Sequence, residues 1–328
     1  MKKRNILVTG ANGFIGHHLC RKLLENKQSV LAITRSKSPA QLKPLLQKPG
    51  MQIEIGDITS ETFVKNLFAS NKIDAVFHLA IETNYSNIPN SSSKPFLPQT
   101  QVYQTNVLGT FNLLQHATHN GVSAWIQSSS MSVYDYEKPD YLPVNELHPA
   151  KPINIYGLTK LLSDEICKYY NANTPLRCLI LRYSGVFGTG KTRGIIAKLI
   201  NNYLDSAAGS IDVDTNRTSD FVYIEDVVSA NLLALEKLLD EKYDTRQNQF
   251  IFNIGCGEEI SIKELADLMI KITRTKLNIN PVTASHPRRF YYDVSAAKRI
   301  LKYRPRDINQ AFAEYIEKEK AGRGKIER

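Results

Sequence analysis

Tyr156 and Lys160, in the stretch "IYGLTK", are the pair of side chains best suited to acid–base chemistry. Residues four apart on a helix share a face, so the phenol and the ammonium can converge on one point. A phenol with a pKa of about 10 is a poor base at neutral pH. A fixed cation beside it favours phenolate and lowers that pKa. The pair therefore predicts proton transfer to or from a substrate oxygen.

A second tyrosine–lysine pair, Tyr134 and Lys138, has the same spacing. It lies against Pro139 in the stretch "YDYEKPDYLPVNELHPAKP", whose prolines predict an irregular segment rather than a helix. Without a helix, nothing places these two side chains on one face. We therefore assign the chemistry to Tyr156 and Lys160.

The stretch "VTGANGFIGHHL" places Gly10, Gly13 and Gly16 between an apolar run and a helix-like run. Glycine at such a turn permits positive φ and lets backbone N–H groups at a helix N-terminus approach a pyrophosphate. The third glycine allows the helix to lie near the sheet. Because the triplet follows a predicted strand and opens a predicted helix, it indicates a dinucleotide site.

A competing phosphate motif is "GVFGTGKT", residues 185–192, which fits the P-loop pattern of nucleoside triphosphate hydrolases. A P-loop would also need a magnesium-binding aspartate at the end of an apolar strand, and "FVYIED" could supply one. That assignment leaves the first glycine triplet and the tyrosine–lysine pair without a role. We therefore interpret the P-loop match as coincidental.

The elements that must position these groups alternate between short apolar runs and stretches of helical periodicity. Strand–helix alternation with fully apolar strands predicts an α/β, doubly wound Rossmann fold, a parallel sheet covered by helices on both faces. In the first helical stretch, Ile15, Leu19 and Leu23 recur at a spacing of four. The predicted strands are Asn5–Thr9, Val30–Thr34, Gln52–Ile55, Ala75–Leu79, Ala124–Gln127 and Leu176–Leu181.

Beyond about residue 185 the elements become shorter and more mixed. We predict an NAD(P)-binding domain over residues 1–184, to which parts of 217–256 return, and a smaller, interleaved α/β lobe over 185–328 that mainly binds substrate. Residues 82–99 are rich in Asn, Ser and Pro and follow a predicted strand, where ligands bind in open α/β sheets. This segment is predicted to be either a lid or a variable surface loop.

With 42% apolar and 23% charged residues, the 328-residue chain has the composition of an ordinary globular protein. The net charge is +10, but the one dense charge cluster, "EKEKAGRGKIER", mixes both signs, so we expect no nucleic-acid partner. No run approaches the roughly 18 apolar residues of a membrane span, and we expect a cytoplasmic protein with no membrane partner. The four cysteines show no paired spacing, and no carboxylate cluster accompanies the histidine pairs His17-His18 and His116/His119, so neither a disulfide nor a metal site is expected.

The spacing in "TGANGFIG" resembles that of the extended short-chain dehydrogenase/reductase family, the NAD(P)-dependent epimerases and dehydratases of nucleotide sugars. Further resemblance runs through "GDIT", "VFHLA", "TNVLGTFNLLQHA", "DFVYIEDVVSANLLALE" and "FNIGCGEEISIKELADLM". The resemblance implies that Asp57 lies near the adenine, and that Lys160 also holds the nicotinamide ribose. The residues expected to hold the cofactor are Gly10, Asn12, Gly13, Phe14, Ile15, Gly16, Thr34, Arg35, Asp57, Ile58, Leu79, Ala80, Asn106, Tyr156 and Lys160.

The resemblance also places the family's catalytic Ser/Thr at Ser130, in "QSSSMSVYD", where its hydroxyl would bind the substrate oxygen that gains or loses a proton. Sugar 4,6-dehydratases carry Asp-Glu directly after that residue. Here Met131 and Ser132 occupy those places, and neither can serve as a carboxylate acid or base. Dehydration is therefore not expected.

In the same resemblance, "LRYSGVFGTG" corresponds to the segment that faces the nucleotide sugar, with Ser184-Gly185 replacing the family's asparagine. Arginine is suited to clamping a diphosphate because its guanidinium makes bidentate contacts. The expected substrate-binding residues are Ser130, Ser184, Gly185, Arg217 and Arg288. A homodimer is also implied, with Phe111, Leu113 and Leu114 near a helical interface.

The predicted cofactor is NADP(H) rather than NAD(H), because "VLAITRS" ends with Thr34 and Arg35 where NAD enzymes carry an acidic residue. Since a reductase consumes NADPH at each turnover, this favours reduction of a 4-keto nucleotide sugar, with Tyr156 as the general acid. The alternative is a nucleotide-sugar 4-epimerase that keeps its cofactor bound. A more remote alternative is a catalytically silent, cofactor-sensing protein on the same fold.

Overall fold

The computed structural model describes residues 2–83, 99–204, 210–214, 217–275, 277, 279–282 and 288–323. The predicted lid falls almost wholly in 84–98, outside these ranges. The chain forms two compact units that alternate along the sequence. The first unit comprises residues 1–135, 149–182 and 228–252, and the second comprises 136–148, 183–227 and 253–328.

The first unit is built around a seven-stranded parallel sheet, which confirms the predicted doubly wound fold. Its strands are β1 Asn5–Thr9, β2 Ser29–Thr34, β3 Met51–Ile55, β4 Ala75–His78, β5 Ala124–Ser130, β6 Arg177–Tyr183 and, late in the chain, β11 Ile251–Ile254. The order across the sheet is β11-β6-β5-β4-β1-β2-β3. The order reverses between β1 and β4, which is the switch point where such sheets bind ligands beyond their carboxyl ends.

Burial on both faces explains why these strands are continuous apolar runs. Every residue of β4 and β5 is buried, as are the last four residues of β1. The covering helices are α1 Phe14–Glu25, α2 Glu61–Ser70, α3 Gln99–Tyr103, α4 Gly109–His119, α5 Ile155–Asn173 and most of α7 Ile224–Leu239. Ser60 and Asn154 cap α2 and α5 by accepting hydrogen bonds from first-turn N–H groups. The core of this unit therefore lies on both faces of the sheet.

One residue-level expectation is wrong. Leu113 and Leu114 were expected near an exposed helical interface, but both are fully buried in the core of the first unit. On α4 they face the sheet, whereas Phe111 on the same helix is 42% exposed. Around the helix, Leu113 lies about 160° from Phe111 and Leu114 about 60° from it in the same direction, so both fall on the covered side while Phe111 does not.

In its described residues, the second unit contains small strand pairs, a π-helical turn over Ala297–Leu301 and the α-helices α6 Ile195–Leu204, α8 Ile262–Thr273 and α9 Ile308–Arg323. Its strands are β7 Gly185–Phe187, β8 Ile211–Asp214, β9 Thr218–Ser219, β10 Phe221–Tyr223, β12 Ile260–Ser261 and β13 Ile279–Val282. The pairs are β7 with β10, β8 with β13 and, antiparallel, β9 with β12. Asp220 ties the unit together, because its buried carboxylate accepts hydrogen bonds from the backbone N–H groups of Cys256, Gly257 and Tyr292.

Candidate active site

A cavity of about 330 Å³ opens at the carboxyl ends of β1, β2 and β4, at the switch point of the sheet. The predicted residues that line the cavity are Gly10, Asn12, Gly13, Thr34, Arg35, Ile58, Leu79 and Ala80. Sequence reasoning missed Ile33, Ser36, Gly56, Ile81 and Thr105. Each missed residue is the chain neighbour of a predicted one, so the position at a strand or helix end was the signal that could have found them.

The glycine triplet fits a pyrophosphate cradle. Gly10 has φ +65°, and a Cβ there would lie 2.6 Å from the Ala80 nitrogen. A Cβ at Gly16 would lie 2.3 Å from the Gly10 oxygen, so α1 can approach the turn this closely only with glycine. Gly13 is the N-cap of α1 and has no side chain to block the N–H groups of the first turn. An anionic group can therefore reach the positive end of this helix.

Several predicted cofactor residues lie beside the cavity rather than in its wall. Phe14, Ile15 and Gly16 form the first turn of α1. The Asp57 carboxylate accepts a hydrogen bond from the Thr59 nitrogen at 2.9 Å, while the neighbours of Asp57 line the cavity. The wall at this point is formed by small and apolar groups.

Asn106 joins three segments next to the cavity. It lies on a π-helical turn over Gln104–Leu108 and donates a hydrogen bond to Thr159 Oγ1 on α5 at 3.0 Å. It also accepts from the Glu82 nitrogen at 2.8 Å and donates to the Glu82 oxygen at 3.1 Å. The segment after β4 and helix α5 are therefore held by one buried amide.

Thr9 and His78 support the floor of the site. The Thr9 hydroxyl accepts hydrogen bonds from the Leu79 and Ala80 nitrogens and contacts His78 Nδ1 at 2.8 Å. Burial lowers the pKa of His78 to about 3, so its ring is neutral at physiological pH. The floor therefore has a fixed shape and carries no charge.

The predicted catalytic residues lie at the junction of β5 and α5. Ser130 ends β5, and its Oγ accepts a hydrogen bond from the Ser132 nitrogen at 3.1 Å. Tyr156 is the second residue of α5 and Lys160 lies one turn further along the same helix. The helix begins here because the Asn154 side chain accepts a hydrogen bond from the Gly157 nitrogen at 2.8 Å.

Gly157 is a site residue that sequence reasoning missed. A Cβ at this position would lie only 2.0 Å from the Ser132 oxygen. Glycine therefore allows the first turn of α5, which carries Tyr156, to pack directly against the turn that follows Ser130. The sequence shows only that this glycine directly follows Tyr156, and no local pattern indicates its contact with Ser132.

Lys160 is almost wholly buried, and its Nζ donates a hydrogen bond to the Ser128 oxygen. Burial lowers the pKa of Lys160 to about 8, while the negative charge of Asp164 opposes this shift. A lysine in this state can carry a positive charge at neutral pH and can also lose it. The phenol of Tyr156 is one helical turn away.

The discounted Tyr134 has a structural role close by. Its ring is fully buried, and its hydroxyl accepts a hydrogen bond from Arg182 at 2.8 Å. Arg182 also pairs with the Asp164 carboxylate at 3.1 Å. Residues 134–152 contain no helix, as their prolines predicted, so the Lys138 spacing has no structural meaning.

The predicted substrate residues of the second unit divide into two groups. The Ser184 hydroxyl donates to Asp220 Oδ1 at 3.3 Å, and the Gly185 nitrogen donates to the Asp220 oxygen. Arg217 and Arg288 are paired by an isolated backbone bridge, which brings two guanidinium-bearing residues side by side. Arg288 also pairs with Glu137 at 3.2 Å.

The stretch "GVFGTGKT" does not have P-loop geometry. Its first three residues form β7, which pairs with β10 outside the main sheet. In a P-loop the Lys-Thr pair opens the following helix, but α6 begins at Ile195, beyond Thr192. The match is coincidental, as predicted.

In the part of the chain that the structure describes, no helix has the length and apolar character needed to span a bilayer. Over the same residues, no three His, Cys, Asp or Glu side chains form a group that could hold a metal ion.

A Rossmann sheet with a glycine cradle, and a serine, tyrosine and lysine at the β5–α5 junction, define a nicotinamide-dependent enzyme of the short-chain dehydrogenase/reductase class. The model of the NAD dependent epimerase/dehydratase family matches residues 6–255. The chain belongs to this family. The predicted NAD(P)-dependent, nucleotide-sugar-modifying enzyme is thereby confirmed.

Three relatives illustrate the similarity. The UDP-glucose 4-epimerase of Lactobacillus helveticus is 29% identical to this chain, and the match covers 93% of each of the two chains. The crystal structure of the UDP-glucose 4-epimerase of Thermotoga maritima with UDP-glucose has a TM-score of 0.81 and 27% identity, and the match covers 97% of this chain and 99% of that one. The UDP-glucuronic acid 4-epimerase of Bacillus cereus, in complex with UDP-glucuronic acid and NAD, has a TM-score of 0.79 and 27% identity over 96% of this chain and 99% of that one.

Proposed function

We propose that this chain is a nucleotide-sugar 4-epimerase that acts on a UDP-sugar and retains NAD(H). The observation that carries the proposal is the tyrosine–lysine pair at the start of α5, packed against the Ser130 turn through Gly157, in a chain whose relatives are 4-epimerases. The three relatives named above are 4-epimerases, and none is a reductase of a 4-keto sugar, the first prediction from the sequence. The alternative prediction is therefore the one we adopt.

In this proposal Tyr156 takes the proton from the C4 hydroxyl of the sugar and later returns it. Lys160 supports the phenolate through its charge, and Ser130 donates a hydrogen bond to the same C4 oxygen. NAD(H) held in the cavity would supply hydride transfer from and to C4. Because the configuration at C4 is inverted, the sugar must present opposite faces of C4 to the hydride donor while its C4 oxygen stays within reach of Tyr156 and Ser130.

The cofactor would lie in the cavity at the switch point, with its pyrophosphate on the Gly10–Gly16 turn. NADP(H) was predicted from Arg35, but we propose NAD(H), because the guanidinium of Arg35 is already paired with Glu82 at 3.1 Å. Arg217 and Arg288 are proposed to bind the diphosphate of the UDP-sugar, since their backbone pairing brings two cationic side chains together.

A direct assay separates the two reactions. Purified protein is incubated with UDP-glucose or UDP-glucuronic acid without added cofactor, and the products are followed by NMR. Interconversion with the 4-epimer supports the proposal, and a Ser130→Ala variant should slow it by about 100-fold. Consumption of NADPH with a 4-keto-6-deoxy nucleotide sugar, without epimerisation of either hexose nucleotide, would support reduction instead.

We also propose a homodimer formed through α4 and α5. Phe111 on α4 and Tyr169 on α5 are exposed, and both rings contact Tyr170. Further exposed apolar side chains on α3, the π-helical turn and α5 are Tyr103, Leu108, Leu158 and Leu162. Aromatic and aliphatic groups on adjoining helices form the kind of surface that a second copy can cover.

A further inference from the structure

Arg35 and Glu82 form an ion pair at the edge of the cofactor cavity. Arg35 directly follows β2 and lines the cavity, and Glu82 comes shortly after β4, next to Ile81, which also lines it. The Nη2–Oε2 distance is 3.1 Å. The Arg35 side chain is 45% exposed, whereas that of Glu82 is 12% exposed. The carboxylate is therefore the more enclosed partner.

Glu82 is also the more firmly held partner. Its backbone nitrogen and oxygen both hydrogen-bond to the Asn106 side chain, at 2.8 and 3.1 Å. Asn106 is buried and donates in turn to Thr159 on α5. Glu82 Oε1 accepts a hydrogen bond from the Thr83 nitrogen at 2.9 Å. Glu82 is thus anchored beside the cavity through its backbone, and the long Arg35 side chain reaches its carboxylate.

An arginine directly after β2 usually indicates a preference for NADP(H), but the ion pair with Glu82 favours NAD(H) here. Such an arginine accommodates the 2′-phosphate of NADP(H), whereas an acidic residue binds the ribose 2′-OH of NAD(H). Here the guanidinium already has a carboxylate partner. A 2′-phosphate would bring its negative charge against Glu82, and like charges placed together are costly. A neutral 2′-OH meets no such repulsion.

We infer that Glu82, acting from the end of β4, sets the cofactor preference for NAD(H) by neutralising Arg35 and repelling a 2′-phosphate. The pair thereby disfavours a 2′-phosphate, as an acidic residue directly after β2 would, and this chain has no acidic residue at that position. This inference rests on the proposed use of NAD(H) and adds the residue that selects it.

The test measures binding, so it does not depend on turnover. Dissociation constants for NAD⁺ and NADP⁺ are determined by calorimetry on cofactor-free protein at low and high salt. The wild type should bind NAD⁺ at least about tenfold more tightly than NADP⁺. Glu82→Gln should tighten NADP⁺ about tenfold and change NAD⁺ less than about threefold, and added salt should reduce the gain. Glu82→Asp, which keeps the charge, should retain the wild-type preference.

Two further variants assign the effect to the pair. The gain in NADP⁺ affinity should be smaller in Arg35→Ala/Glu82→Gln than in Glu82→Gln, because the freed guanidinium supplies part of it and the lost repulsion supplies the rest. Arg35→Ala alone should weaken NADP⁺ less than about threefold. Glu25→Gln removes an equal charge, paired with Lys22 at the far end of α1, and should change neither affinity.

Three results would overturn the inference: tighter binding of NADP⁺ by the wild type, an unchanged preference in Glu82→Gln, or a tenfold loss of NADP⁺ affinity in Arg35→Ala. The last outcome would make Arg35 the ligand of a 2′-phosphate, and it is read without any change at Glu82. If the affinities follow the inference but no UDP-sugar is epimerised, the proposed reaction fails while the selectivity of the site stands.

Discussion

Two opposing effects set the pKa of the Lys160 ammonium group. Burial lowers its pKa to about 8, and Asp164, one turn further along α5, favours the charged form. Asp164 is itself buried and shared with Ser129 and Arg182, so its charge cannot move away from the lysine. Such a lysine supports a phenolate only while it is protonated.

Activity should therefore fall as the pH rises through about 8. Below this pH Lys160 is charged and stabilises the Tyr156 phenolate, and above it the charge is lost together with that stabilisation. A pH profile of kcat/KM with UDP-glucose measures the effect. Lys160→Arg, whose guanidinium does not titrate here, should keep its residual activity up to about pH 9. An identical alkaline limb in that variant would exclude Lys160 as the titrating group.

Replacing Tyr156 by Phe should lower kcat by more than about 100-fold, because it removes the hydroxyl that carries the proton. Cofactor binding should remain close to that of the wild type, which calorimetry can verify. The matched control is Tyr134→Phe, which removes a buried hydroxyl bonded to Arg182 instead. That variant should lose stability but keep kcat within about tenfold. Equal losses of kcat in both variants would remove the special role of Tyr156.

At this scale the sequence predicts residue types better than contacts. Spacing identifies Tyr156 and Lys160, and Pro139 excludes Lys138. No local pattern could indicate that Arg35 meets Glu82, because these residues follow different strands and meet only when the sheet forms. The NADP(H) prediction was drawn from Thr34 and Arg35 at the end of β2 and took no account of Glu82.

At the scale of elements, the junction between β5 and α5 depends on how closely a helix can approach a turn. Van der Waals contact requires more than 3 Å, yet a Cβ at position 157 would lie 2.0 Å from the Ser132 oxygen. Since that oxygen belongs to the backbone, it cannot move aside as a flexible side chain would. The position of Tyr156 relative to Ser130 therefore depends on a residue without a side chain.

Gly157→Ala should shift the start of α5 away from the Ser130 turn. We expect a loss of about 1–3 kcal/mol in the free energy of unfolding, the usual cost of overpacking. We also expect at least a 10-fold loss of kcat, since small misplacements of catalytic groups are costly. Chemical denaturation and the epimerase assay measure the two effects. Glu165→Ala, on the exposed side of the same helix, should leave both unchanged.

The glycine triplet and Gly157 show where element-scale prediction succeeds and where it stops. Gly10, Gly13 and Gly16 form a recurring pattern between a strand and a helix, so their role can be read locally. Gly157 is required by a close approach to Ser132, which is 25 residues earlier in the chain. Strands and helices can be predicted from the sequence because their periodicity is a local pattern. The distances between elements depend on residues far apart in the chain and cannot be predicted in this way.

At the scale of the whole molecule, the chain leaves the first unit and returns to it twice. Residues 136–148 belong to the second unit and residues 228–252 to the first. The irregular segment could not be assigned from its own composition, because it has no periodic pattern and its partners are distant in sequence. A separate feature at this scale is the set of apolar side chains exposed on α4 and α5 of the first unit, where we propose that two copies of the chain associate.

Phe111→Glu and Tyr169→Glu should each convert the proposed dimer to a monomer, because a charge placed on an apolar interface is costly to bury. Sedimentation at micromolar concentration reports the oligomeric state. Leu147→Glu, at a side chain that is 89% exposed in the second unit, is the control and should remain dimeric. A wild-type protein that sediments as a monomer would contradict the proposed interface.

β11 is synthesised long after its neighbour β6, and this order affects the folding of the nascent chain. β6 ends at Tyr183 and its neighbour β11 ends at Ile254, so 71 residues separate their completion. At about 5–20 residues per second, the ribosome needs roughly 4–14 s to supply them. During that interval the β6 edge of the nascent sheet lacks its partner strand and could pair with another chain. Slowing elongation between these strands should therefore increase aggregation, and chaperones that shield open sheet edges should raise the yield.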